Sequence, residues 1–359
     1  MIKIVTIIGA RPQFVKAAAI SREISKRENF KEVIVHTGQH FDKNMSDIFF
    51  EEMSIPTPDY NLAINSLGHG AMTGRMLEGI EDILKKEEPQ FVMVYGDTNS
   101  TIAGALAAKK MHIKVIHIEA GLRSFNMNMP EEINRILTDR ISDLLFCPTQ
   151  TAIDNLNKEG YDNIDTTVIR SGDVMEDAAM FYALNSAEKS TVIKKFGLSG
   201  KEFILCTIHR QENTDDPQKL GDIISALNQI NEETEVVCPL HPRTVKLLKQ
   251  HGLEATFTVI DPVGYFDMIE LLKGCKFVMT DSGGLQKEAY FFKKPAITMR
   301  EETEWVELVK NGYNQIVGSD KDLILKAIKN VNFDADFEKD LYGKGQACKV
   351  IVDNIDKFA

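Results

Sequence analysis

The sequence predicts an α/β protein with two Rossmann-like parallel-sheet domains facing a cleft. Short β-branched runs alternate with amphipathic helical stretches along nearly the whole chain, the pattern of repeated βαβ units. These runs fall into two series separated by a polar, helical stretch. The length, 359 residues, also exceeds what one hydrophobic core usually organises.

The first series opens with Ile2–Ile8 and continues through Glu32–His36, Phe91–Tyr95, Lys114–Ile118, Leu144–Cys147 and Thr167–Arg170. Each is short, rich in Val, Ile or Phe, and followed by a turn and a helical period. Asp173–Ser199 is mostly helical and polar and reads as the connection. The second series runs Phe203–Ile208, Glu235–Pro239, Phe257–Ile260, Phe277–Thr280, Pro295–Met299 and Gln315–Val317. A last helix, about Gly345–Phe358, lines up Val350, Ile351, Ile355 and Phe358, a stripe suited to packing on a domain. The expected boundaries are a first domain at 1–175, a connection at 176–198, a second domain at 199–342, and a C-terminal helix at 343–359 that returns to the first.

Composition narrows the function classes. With 43% hydrophobic and 26% charged residues, the chain has no apolar run near the roughly 20 residues that span a bilayer. The N-terminus enters a strand pattern at once, without the features of a secretion signal, so a cytoplasmic protein is expected. A net charge of −11 argues against nucleic acid as a partner, while a local basic pocket could still hold a small anion. The five cysteines form no C-x-x-C pair, and the histidines lack metal-ligand spacing, so neither a metal nor another cofactor is expected.

Polar residues gather immediately after the strand candidates, where parallel sheets place their binding sites. The segments are Gly9-Ala10-Arg11, His36-Thr37-Gly38-Gln39-His40, Gly96-Asp97-Thr98, His117-Ile118-Glu119-Ala120-Gly121, His209-Arg210-Gln211-Glu212, His241-Pro242-Arg243 and Asp281-Ser282-Gly283-Gly284. Seven such coincidences across two domains point to one shared cleft. After the first strand, Arg11 and Lys16 flank a helix start that Pro12 favours, which suits a phosphate or is a plain strand-to-helix turn. Gly283 and Gly284 let backbone approach a ligand at the start of a helix, whose N–H groups can hold a diphosphate. One turn on, Glu288 could accept from both ribose hydroxyls. Asp97, Glu119 and the pair Glu131-Glu132 supply carboxylates and His209 an imidazole. Abstracting a proton from either face of a carbon takes more than one base, and clustered carboxylates can be tuned towards neutral pH. Taken singly, each such residue is more often an ion pair or a helix cap.

These segments, with Pro130-Glu131-Glu132-Ile133-Asn134-Arg135 and His209-Arg210-Gln211-Glu212-Asn213, resemble the non-hydrolysing UDP-N-acetylglucosamine 2-epimerase family over essentially the whole chain. The resemblance implies the GT-B arrangement of two Rossmann-like domains, and reversible conversion of UDP-GlcNAc to UDP-ManNAc through elimination of UDP and a 2-acetamidoglucal intermediate. It implies Asp97, Glu119 and Glu131 as acid–base carboxylates and His209 as the group that assists departure of UDP. Arg11, Lys16, His241, Ser282, Gly283, Gly284 and Glu288 would hold UDP. Gln39 and Arg210 match positions of a second, activating UDP-GlcNAc site, and a homodimer supplying surface polysaccharide synthesis is implied.

Two positions depart from the family pattern. His69 stands nearest to where the activating site has a basic residue, and Trp305 replaces an arginine common in bacterial members, its plain reading being packing. A hydrolysing epimerase that releases ManNAc and UDP remains open, as does a GT-B glycosyltransferase.

Overall fold

The computed structural model describes residues 1–39 and 56–359; His40 and the Arg11 side chain lie outside that description. The chain divides into two compact units, Met1–Ala178 with Asp340–Ala359, and Ala179–Lys339.

The first unit is built on strands β1 (Ile2–Ile8), β2 (Phe30–His36), β3 (Tyr60–Asn61), β4 (Phe91–Tyr95), β5 (Lys114–Ile118), β6 (Leu144–Cys147) and β7 (Thr167–Arg170). All pair in parallel, in the order β3-β2-β1-β4-β5-β6-β7. Its longer helices are α1 (Arg11–Ile24), α2 (His69–Glu87), α3 (Asn99–Lys110), α4 (Pro130–Ile141), α5 (Gln150–Lys158) and the start of α6 (Val174–Ala183). The sheet is covered on both faces, so β1 and β4 read as continuous apolar runs: Ile4, Val5, Ile7, Val92 and Val94 are wholly buried. The six expected strands are present, β2 beginning two residues earlier than expected. The seventh, β3, was not anticipated. Two residues carry no period, and only the pairing of Tyr60 with Val35 and Asn61 with His36 makes them a strand.

The second unit repeats the plan with β8 (Phe203–Thr207), β9 (Glu235–Pro239), β10 (Thr258–Ile260), β11 (Val278–Thr280), β12 (Ala296–Thr298) and β13 (Asn314–Ile316). Their parallel order is β10-β9-β8-β11-β12-β13. The longer helices here are α7 (Pro217–Asn231), α8 (Pro242–Gln250), α9 (Tyr265–Gly274), α10 (Gly283–Phe291) and α11 (Lys321–Ile328). Cys206, Cys238, Met279 and Ile297 pack in its core, and all five cysteines of the chain are buried free thiols.

The last helix, α12 (Ala347–Phe358), belongs to the first unit and packs on α1. Ile351, Val352 and Ile355 face inward, Arg27 pairs with Asp353 at 2.5 Å, and Asn29 donates to Asp356 at 2.7 Å. Its start is held by α6: Asp177 accepts from the N–H groups of Ala347 and Cys348, and Glu176 from that of Gly345. No helix among the described residues is long and apolar enough to cross a membrane.

Both strand orders reverse once, between β1 and β4 and between β8 and β11. At such a reversal the two following connections leave on opposite faces and open a crevice beyond the carboxyl ends of the strands. Most of the residues singled out in the sequence lie at these two reversals.

Candidate functional site

At the reversal of the first unit, Gly9 follows β1 directly. A β-carbon there would collide with the hydroxyls of Thr37 and Ser100, so only glycine fits. Gln13, buried in the first turn of α1, clamps the two connections together. Its Oε1 accepts from the N–H groups of Gly9 (2.8 Å) and Ala10 (2.9 Å), while Nε2 donates to Tyr95 O (2.7 Å) and Thr98 Oγ1 (2.9 Å). Lys16, one turn further, is buried and ion-pairs with Glu119. The side chain expected to face a phosphate therefore has a carboxylate as its partner.

Glu119 follows β5 directly with φ 69°, a left-handed conformation that costs a non-glycine residue about 1 kcal/mol or more. The turn aims its carboxylate over Gly96, where a β-carbon would be 3.3 Å from Oε2. Asp97 follows Gly96 and ion-pairs with Arg135 of α4, whose Nη1 also donates to Glu132 at 2.6 Å. Asn134 donates to the Asp97 carbonyl at 2.9 Å. Burial pushes the Asp97 carboxyl above the usual range, and the nearby Glu119 adds to this; the charges of Arg135 and Lys16 oppose it without cancelling it. Asp97 is thus a carboxylate tuned upward beside a second carboxylate, each with a cation: a pair fit to exchange protons.

A layer of buried charge holds this arrangement. His117 places Nε2 2.7 Å from Gly96 O and Nδ1 2.7 Å from Asp139. Asp139 also takes Arg123 Nη1 at 2.6 Å and the Gly121 N–H at 3.2 Å, and Arg123 forks onto Glu159 at 2.7 and 2.8 Å. Glu132 accepts from the N–H groups of Ser124 and Phe125; burial works against its charge, but these bonds and Arg135 hold its carboxyl below the usual range. Of the expected pair, Glu132 is the buried one, and Glu131 sits on the exposed side of the first turn of α4. Gln39 Oε1 accepts from the N–H (3.2 Å) and Oγ (2.8 Å) of Ser100, at the start of α3.

At the reversal of the second unit, Thr207 and Thr280 stand side by side in β8 and β11. Just beyond them His209 meets Asp281, with His209 Nδ1 3.0 Å from the carboxylate. Asp281 is fully buried and also accepts from the backbone N–H groups of His209 and Arg210 (3.0 Å each) and from Asn213 Nδ2 at 3.3 Å. Burial would raise its carboxyl, but the His209 hydrogen bond and charge and the backbone donors outweigh it and keep it ionised below the usual range. An anchored carboxylate on one ring nitrogen fixes the half-exposed imidazole and leaves Nε2 to act.

Ser282 caps α10 by accepting from Leu285 N at 3.3 Å, and the helix starts on Gly283 and Gly284. Its first-turn N–H groups and the helix dipole favour an anion there. Glu288 lies in the same helix, half-buried. His241 is exposed after β9 and caps α8 through Nδ1, which accepts from Arg243 N at 3.2 Å. The indole of Trp305 does pack, and it packs on the glycine turn itself: Nε1 donates to Gly283 O at 3.0 Å and the Lys287 ammonium lies 4.0 Å over the ring.

The structure therefore groups Lys16, Asp97 and Glu119 at one reversal, and His209 and Ser282–Gly284 at the other. Gln13 and Asp139, which help hold these groups, were not among the candidates, and Arg123, Arg135 and Asp281 stood only inside candidate segments without a role of their own. A signal existed for α4: Glu132, Arg135 and Asp139 recur at the spacing of one helix face.

The model of the UDP-N-acetylglucosamine 2-epimerase family matches residues 22–356. The chain is 54% identical to the UDP-2,3-diacetamido-2,3-dideoxy-D-glucuronate 2-epimerase of Pseudomonas aeruginosa, covering 99% of this chain and 100% of that one. It is 42% identical to the UDP-N-acetylglucosamine 2-epimerase of Methanococcus maripaludis, over 98% of both. The crystal structure of the Methanocaldococcus jannaschii UDP-GlcNAc 2-epimerase in complex with UDP-GlcNAc and UDP superposes with a TM-score of 0.85 at 40% identity, covering 100% of each chain. With two parallel-sheet units of GT-B type and relatives of this similarity over its full length, the chain belongs to the UDP-N-acetylglucosamine 2-epimerase family.

Proposed function

We propose that the chain interconverts a UDP-linked 2-acetamido sugar and its epimer at carbon 2, with UDP-GlcNAc and UDP-ManNAc as the pair. The carbon-2 proton is too weakly acidic for direct epimerisation. The reaction therefore proceeds by anti elimination of UDP to a 2-acetamidoglucal and re-addition with the proton returned to the opposite face. The observation that carries the proposal is the carboxylate pair Asp97 and Glu119, each with its own cation, Asp97 tuned upward. In this reading Asp97, Glu119 and Glu131 move protons, and His209, aligned by Asp281, meets the phosphate of the departing UDP. Arg11, Lys16, His241, Ser282, Gly283, Gly284 and Glu288 hold the nucleotide. Lys16 then serves two anions, its resident Glu119 and the phosphate.

A second substrate is favoured by one observation, the 54% identity to an epimerase of a UDP-diacetamido uronate. Proton NMR in deuterated water with each UDP-sugar separates the cases. UDP-ManNAc carrying deuterium at carbon 2, without build-up of UDP, supports the proposal. Turnover of the diacetamido uronate alone moves the substrate to the second reading. Free ManNAc with stoichiometric UDP identifies a hydrolysing enzyme, and no reaction of either sugar refutes the assignment.

A further inference from the structure

Arg300 lies two residues beyond β12, the neighbour of β11 in the sheet, and so reaches the same end of the sheet as the glycine turn. Its side chain is 9% exposed, and its Nη1 donates to Glu304 Oε2 at 2.8 Å. Its Nε is buried and makes no hydrogen bond among the described residues. A buried guanidinium nitrogen left unpaired is uncommon and calls for a reason.

Gly283 supplies one. A β-carbon on this first residue of α10 would collide with Glu304 Oε1, and the same point is 3.7 Å from Arg300 Nη1. The Glu304 carboxylate is therefore parked over the start of α10, where the unpaired N–H groups and the dipole favour negative charge. Both neighbours of Glu304 are fastened to this helix: Thr303 Oγ1 donates to Gln286 Oε1 at 2.7 Å, and Trp305 Nε1 to Gly283 O. The backbone thus delivers Glu304 to the spot, while its carboxylate, itself 28% exposed, is held by an ion pair to Arg300 that another anion could take over.

We infer that Arg300 is a further anion-binding residue of this site, and that Glu304 is the internal counter-ion it exchanges for the diphosphate of the ligand. The inference rests on the nucleotide-sugar reading above. The Glu304 carboxylate lies where the anion would bind, and when the diphosphate arrives it swings away. The planar guanidinium, with Nε still unused, then turns its fork to phosphate oxygens, a geometry that lysine lacks.

The test is binding of UDP and of uridine to the full chain, by calorimetry and by ligand-observed NMR, for the wild type, Glu304→Gln, Arg300→Gln and Arg300→Lys, with thermal melts as a check on folding. Removing the competing charge in Glu304→Gln should tighten UDP roughly fivefold or more. Arg300→Gln should weaken it by about tenfold or more, and Arg300→Lys should recover only part of that. Uridine, which has no phosphate, should change less than about twofold throughout. If Arg300→Gln does not fold, Glu304→Gln decides alone. Unchanged or weaker UDP binding by Glu304→Gln, or equal shifts for uridine and UDP, overturns the exchange and leaves the function standing. No UDP binding by the wild type removes the nucleotide-sugar reading and this inference with it.

Discussion

Glu176, in the first turn of α6, is 9% exposed and accepts a hydrogen bond from Gly345 N at 3.2 Å. Burial, reinforced by the negative charges of Asp173, Asp177 and Asp340, pushes its carboxyl from the ordinary 4.5 up to about 7. The unfolded chain releases this proton near pH 4.5, whereas the folded chain keeps it until about 7. The group therefore leaves stability intact below pH 4.5 and erodes it as pH rises through 7. At about 1.4 kcal/mol per pH unit the loss above pH 7 approaches 3 kcal/mol, an order-of-magnitude figure. Glu176→Gln keeps an oxygen for Gly345 and cannot ionise. It should stabilise the protein by about 2–3 kcal/mol at pH 8, raising the melting temperature by roughly 3 °C, and by less than about 1 kcal/mol at pH 5. Thermal melts of both proteins at the two pH values measure this. A variant that parallels the wild type across this range, or is less stable at both values, refutes the reasoning.

Asp97→Asn should leave the melting temperature nearly unchanged and lower turnover by at least about 100-fold, measured by deuterium incorporation at carbon 2. Arg135→Met removes a charge that opposes the upward push on Asp97, so the acid limb of the pH–rate profile should move to higher pH. Asp281→Asn takes the anionic partner from His209 and should lower kcat about tenfold or more, with a smaller change in KM. Gly172 has φ +87°, and a β-carbon there would collide with Tyr342 O; Gly172→Ala should cost about 2 kcal/mol or more in chemical denaturation.

The α4 helix shows where pattern reading stops. An amphipathic helix usually buries its apolar side, yet α4 buries Glu132, Thr138 and Asp139 and leaves Ile133 and Leu137 about half exposed. Hydropathy alone marks the wrong side of α4 as inward. The buried side is polar because it faces Asp97 after β4, His117 in β5 and Arg123 in the loop before α4, contacts that only docking creates. Glu131 and Glu132 are adjacent and chemically alike, so composition cannot tell which one is buried; the helix phase, set by how α4 docks, decides it.

Strands and their ends were readable, because a sheet covered on both faces demands continuous apolar runs and a parallel sheet puts its polar residues after them. That alone places Asp97, Glu119, His209 and Ser282–Gly284 at strand ends. Local chemistry also announced the glycine turn before α10, since a helix start and two glycines are features of neighbouring residues. The partners of these groups were not legible. Lys16 with Glu119, Asp97 with Arg135, His209 with Asp281 and Gln13 with Tyr95 are each separated by tens of residues. A side chain's charge state and direction depend on what surrounds it in space, and no local period records that. The sequence by itself determined the two sheets and the positions of the reactive groups along them. Only the tertiary structure decided which cation each carboxylate faces, because strand order and helix docking bring those residues together.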